Sequence, residues 1–257
     1  SKAEYEELKE KYEKRLEEEI RLIKEKSFLQ DLSYISISGS GKVTDSYIKI
    51  SGSGLVEGWH GGSIKISGSG LITDDEIKIS GRGVIPGDLK TTRLSVSGAF
   101  KSEGSLEATT VNISGSCKIE GSLTVYERVA VSGSIKIGGD LIANEAELVS
   151  GGSLKVEGLV TCFTAELNGK YNIGGDLSCQ DSFTSYLTSK SRINGDIKCG
   201  GDVYIEQEKR GGILKVPRII AQGDVYVEGV ETEYISGRTV KIGPKCKIGD
   251  VEEKLEN

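Results

Sequence analysis

The stretch that decides the fold is VNISGSCKIEGSLTVYERVAVSGSIKIGGDLIA, residues 111–143. Apolar side chains recur in it as pairs two residues apart: Val111 and Ile113, Cys117 and Ile119, Leu123 and Val125, Val129 and Val131, Ile135 and Ile137, Leu141 and Ala143. A spacing of two puts both members of a pair on one face of a short strand. The pairs themselves recur every six residues, with Gly, Ser, Asp or Glu between them, so the chain turns after each strand. Three strands make eighteen residues, after which the same phrase returns: Gly121-Ser122-Leu123, Gly139-Asp140-Leu141, Gly158-Leu159-Val160, Gly175-Asp176-Leu177, Gly195-Asp196-Ile197. A fixed period of this kind predicts an all-β solenoid, a parallel β-helix whose rungs bury their aliphatic pairs inside.

Composition fits that reading. The chain has 257 residues, 36% of them hydrophobic, but only 3 prolines, 4 Phe and 1 Trp, against 35 glycines. That is too few aromatics for a wide globular core and enough glycine for frequent turns. A net charge of −6 with mixed signs argues against nucleic acid as a partner. No apolar run reaches the roughly 18 residues that cross a bilayer. The charged N-terminus is unlike a signal peptide, so the expected compartment is the cytoplasm, with peripheral membrane association as a variant of it. Five cysteines lack CxxC spacing, and three of them fall in register in Val160-Thr161-Cys162, Leu177-Ser178-Cys179 and Ile197-Lys198-Cys199. The spacing predicts a thiol ladder inside the solenoid, behaving as small hydrophobes and not as a metal or redox site.

Residues 3–26 carry Tyr5, Leu8, Tyr12, Leu16, Ile20 and Ile23 at spacings of three and four, with Lys, Arg and Glu elsewhere. That stripe predicts an amphipathic helix that either covers the N-terminal end of the solenoid or pairs with another copy or partner. Its near balance of acid and base disfavours docking on an anionic membrane. Phe28, Leu29 and Leu32 mark a hinge. Close copies of Ile-x-Ile-Ser-Gly then start at Ile35, Ile48, Ile64 and Ile77, separated by 13, 16 and 13 residues, and looser ones follow at 17 and 18. The first copies therefore read as a tapered or flattened entry into the solenoid. The chain divides into helix and hinge (1–32), parallel β-helix (33–251) and a charged, frayed tail (252–257), with residues 206–220 as a loop or expanded rung. Recurrent Gly-Asp pairs, from Gly139-Asp140 to Gly249-Asp250, read as turns in which Asp bonds a nearby downstream amide.

Catalytic β-helices gather Asp or Glu with Arg, Lys or His in a groove built by long loops. The connections here are short, and no phosphate-binding, dinucleotide, zinc or nucleophile-elbow motif occurs. The only histidine, His60, stands beside the only tryptophan, Trp59, on a glycine-rich loop that is either a packed tip or a partner-binding spot. A hexapeptide acyltransferase would share the period of six. It would, however, carry small residues where this chain has Val111, Leu123, Val129, Ile135 and Leu141, and its site would need a histidine within the rungs. A surface row of aromatics would favour a glycan-binding module, and the ten tyrosines read as too scattered to form one. No catalytic residue, cofactor or metal is expected.

With rungs aligned, Ile-x-Ile-Ser-Gly-Ser-Gly, Val-x-Ile-Ser-Gly and Gly-Asp-Leu/Ile/Val at eighteen-residue intervals over 35–251 resemble the bactofilins, the polymer-forming cytoskeletal proteins. The resemblance implies a right-handed, three-sided parallel β-helix. It also implies end-to-end, nucleotide-independent self-assembly as a scaffold, often near a membrane and alongside other cytoskeletal or membrane-associated proteins. Physically, an open β-helix end shows unpaired backbone and a cross-section of aliphatic side chains, which favours an identical end. At the C-terminal rung these are Ile242, Cys246, Ile248 and Val251, set among Lys241, Lys245 and Lys247. The expected function is thus a non-enzymatic, self-associating scaffold. The alternative is a monomeric or dimeric β-helix module that binds a protein or glycan.

Overall fold

The computed structural model describes residues 32–44, 47–59 and 62–253, and among them there are 26 strands in one continuous sheet and no helix. Most of the chain winds through about 10 turns of a β-solenoid. Its strands fall into three parallel ladders. One runs through residues 89–91, 106–108, 123–125 and 141–143 to 234–236 and 250–252. A second runs from 76–79 through 93–96, 110–113 and 128–131 to 225–227 and 240–242. The third runs from 82–85 through 99–102 and 116–119 to 230–231 and 247–248.

The aliphatic pairs of the opening stretch all point inward and are at most 3% exposed. Alternation alone places them there, since the residues between them face solvent. The cysteines stack as the spacing predicts: Cys162 pairs in register with Cys179, and Cys179 with Cys199, all three buried. The Cys162 and Cys179 sulfurs are 3.4 Å apart. Burial pushes the Cys117 thiol, in the rungs before them, up to about 12. Tyr171 is the one tyrosine buried in this core, and its hydroxyl meets Ser185 Oγ at 3.0 Å, which in turn donates to the Leu167 carbonyl. Corners are tight because glycine stacks on glycine. A Cβ on Gly133 would lie 2.1 Å from the carbonyl oxygen of Gly115 one rung below.

The first three repeats depart from the parallel pattern. Strands β1 (Tyr34–Val43), β2 (Tyr47–Trp59) and β3 (Gly62–Thr73) form an antiparallel meander, and β3 lies antiparallel to both β4 (Glu76–Ile79) and β5 (Arg82–Ile85). The parallel solenoid therefore starts at β4 and not at residue 33. Each meander strand turns a corner at a glycine: Gly39, Gly52 and Gly68 have φ of 106°, 136° and 97° and sit side by side, Gly39 opposite Gly52 and Gly52 opposite Gly68. The second glycine of the phrase faces inward and is needed for space. A Cβ on Gly54 would stand 2.5 Å from Cδ1 of Ile50, which fills the inside of the bend. The same phrase thus makes a bent two-faced strand whether its neighbour runs parallel or antiparallel.

Two smaller differences lie further along. Residues 206–220 are an expanded corner, with Gln207 Nε2 donating to the Gly212 carbonyl at 2.6 Å, but they also contain β21 (Ile213–Lys215) and the start of β22 (Arg218–Ala221). The last strand, β26 (Lys247–Glu253), runs past residue 251, so Glu252 and Glu253 belong to the sheet and not to a frayed tail. The apolar stripe Tyr5, Leu8, Tyr12, Leu16, Ile20 and Ile23 lies outside the described residues, as does His60.

Candidate functional site

The solenoid has two ends, and they differ in kind. At the C-terminal end the last strands are β25 (Val240–Ile242) and β26, each paired on one side only among the described residues. Alternation along these strands still directs apolar side chains into the stack, but no further rung covers them. Ile242 is 49% and Val251 46% exposed, while Val240, Cys246 and Ile248 are partly buried against the core. The four residues singled out from the sequence are therefore brought together on this terminal rung.

Polar groups around the rung are committed to the rung below. Arg238 donates twice to the Asp224 carboxylate, at 2.9 and 2.8 Å, and Thr239 donates to the same group. These bonds hold the Asp224 carboxyl down at about 2. Lys247 and Lys215 flank Glu231 at 3.1 and 2.6 Å and lower its pKa. Lys245 donates to Gln207 Oε1, Glu253 accepts the Val240 amide at 2.9 Å, and Glu252 bonds the Tyr234 hydroxyl. Lys245 and Lys247 thus reach back along the solenoid and brace the end instead of standing over it. The rung is a rigid, ion-paired frame around an apolar centre.

The Gly-Asp pairs act between rungs, not within a turn. Asp140 Oδ1 accepts the Leu159 amide, Asp176 Oδ1 the Asp196 amide and Asp202 Oδ1 the Asp224 amide, at 2.7 to 2.9 Å. Lys198 on Asp176 and Arg218 on Asp196 occupy other carboxylate oxygens. No group of three or more His, Cys, Asp or Glu among the described residues is placed to hold a metal. The backbone of Trp59 closes a hairpin, opposite Gly62.

Sequence reasoning missed one feature. Tyr204 and Tyr226 stack on the outer surface with centroids 5.1 Å apart and rings inclined by 18°, and Tyr186 meets Tyr204 edge-on at 6.0 Å. Three tyrosines therefore do form a row. The signal was present in Val203-Tyr204-Ile205 and Val225-Tyr226-Val227, phrases that pair in register. Tyr204 and Tyr226 donate to Glu206 and Glu228 two residues on, which raises the pKa of both phenols.

Residues 111–212 match the bactofilin family model, described as polymer-forming cytoskeletal. The bactofilin match begins within β8 (Leu106–Ile113) and stops at the turn before β21, so it covers the regular middle of the solenoid. Both ends, the antiparallel meander and the terminal rung, lie outside the bactofilin-like stretch. No curated protein and no solved structure matches the chain. No helix among the described residues is long and apolar enough to cross a membrane.

Proposed function

We propose that this chain is a non-enzymatic cytoskeletal scaffold that self-associates through the ends of its β-solenoid without nucleotide. The observation that carries the reading is the terminal rung, where Ile242 and Val251 stand about half exposed over open strand edges. The bactofilin match over 111–212 supports it. Covering these two side chains with an identical end would remove apolar surface from water on both partners, at roughly 1.5–3 kcal/mol for each fully buried aliphatic side chain. The right-handed coil and a cytoplasmic or membrane-peripheral place belong to the same reading.

The test is the double substitution Ile242→Lys with Val251→Lys. Both positions are already solvent-exposed, so the solenoid should fold unchanged by circular dichroism. Charge repulsion and lost burial should raise the concentration needed for association by at least about tenfold. Association at wild-type concentration in this variant would remove the C-terminal rung from the account. A second reading, a surface that holds a glycan or protein partner, is favoured by the Tyr204 and Tyr226 stack, because a flat aromatic pair flanked by carboxylates suits a sugar face or a cationic side chain.

A further inference from the structure

The other end of the molecule is closed by β1, and that strand is self-complementary. Among the described residues β1 pairs only with β2, so its outer edge, Tyr34–Val43, is open over ten residues. It holds no proline and no bulge, the usual devices that blunt an edge. Val43 is 42% exposed, and Ile35 and Ile37 are only partly buried on its inner side.

Pairing within the meander follows one rule. Glycine corners face each other, the isoleucine two residues before one corner faces the second glycine of its neighbour, and the outer apolar residues face each other. In β1 with β2 this sets Gly39 opposite Gly52, Ile37 opposite Gly54 and Ile35 opposite Val56. In β2 with β3 it sets Gly52 opposite Gly68, Ile50 opposite Gly70 and Ile48 opposite Ile72. A new strand on the edge must bend where β1 bends, so its own corner glycine has to lie opposite Gly39. A second copy of β1, run antiparallel and centred there, satisfies the rule throughout: Gly39 meets the second copy's Gly39, Ile37 its Gly41 and Ile35 its Val43. The contact is two-fold, and each residue on one strand has its reciprocal on the other.

We infer that two copies of this chain join at their N-terminal ends through an antiparallel β1 to β1 ladder centred on Gly39, so that two meanders become one continuous antiparallel sheet. This rests on the self-association reading above and assigns it a second contact, at the end opposite Ile242 and Val251. Val43 and Ile35 then cover each other across the junction, and Ser38 and Ser40, both on the outer face and exposed, lie opposite one another between copies.

That register makes a specific demand on cross-linking. Ser38→Cys and Ser40→Cys are introduced separately into the full chain, in a Cys246→Ser background that removes the one native thiol not fully buried. Directly opposed antiparallel positions lie within the reach of a disulfide. Under mild oxidation, an equal mixture of the two variants should yield at least about fivefold more linked dimer than either variant alone. Equal linking in the mixture and in either single sample overturns the register. Absence of linking, as when residues 1–31 occupy the edge instead, overturns the junction. If larger species still sediment in that case, end association at the C-terminal rung stands and only the β1 contact is lost; if nothing larger than a monomer sediments, both are lost.

Discussion

Single side chains decide how firmly the terminal rung is held. Asp224 is the clearest case, because two bonds from Arg238 and one from Thr239 favour its charged form and hold its carboxyl at about 2, below the ordinary 3.8. A depressed carboxylate stabilises the folded end above its unfolded value, and that contribution is lost as pH falls from about 4 through about 2. A carbon-detected NMR titration should therefore place the Asp224 midpoint near 2 in the native chain and move it back toward 3.8 in Arg238→Ala. A native midpoint near 4 would mean that the pairing does not persist in solution. At this scale much was legible in the sequence. The inward pairs, the cysteine register and the apolar residues of the last rung follow from a period of two within strands and a repeated turn. The reach of Lys245 and Lys247 was not legible, since it depends on which residues lie one rung below, and the widened turn around residues 206–220 offsets any count along the chain.

Among elements, the glycine-rich phrase has one geometry and two uses. Ile48 to Gly54 in the meander and Ile77 to Gly83 at the solenoid entry both bend at their first glycine and bury the same isoleucines. Pattern alone could not separate parallel from antiparallel neighbours, because both bury alternate residues equally. Spacing did carry the difference. Copies 13 residues apart have room for two faces and a reversal, whereas a three-ladder turn takes 17 residues between Leu106 and Leu123 and 22 between Ile197 and Ile219. The bends also differ in what a methyl group would strike. On Gly54 it meets the Ile50 side chain, which can rotate; on Gly133 it meets the Gly115 backbone oxygen, which cannot move without the rung. Gly133→Ala should therefore lower unfolding free energy by about 1–3 kcal/mol and Gly54→Ala by less, measured by urea denaturation, with exposed Ser38→Ala near zero as the control. Equal losses at Gly54 and Gly133 would contradict stacked backbone as the reason for glycine at the corners.

Taken whole, the molecule is a rod of nearly uniform cross-section whose chemistry is concentrated at its ends. The flanks are occupied by Lys101, Lys118 and Lys136 paired with Glu103, Glu120 and Glu157, exposed ion pairs that keep the sides soluble and contribute little else. The ends expose edge strands and aliphatic side chains, at β1 and at β25 with β26. A bactofilin-like middle with a self-complementary strand at one end and an apolar rung at the other has two contact surfaces per copy, enough for a linear assembly. The most direct measurement is sedimentation velocity of the full chain from low to high micromolar concentration, without nucleotide. The account predicts species that grow in size with concentration, through dimers to longer rods. A single 27.5 kDa species at every concentration would contradict it.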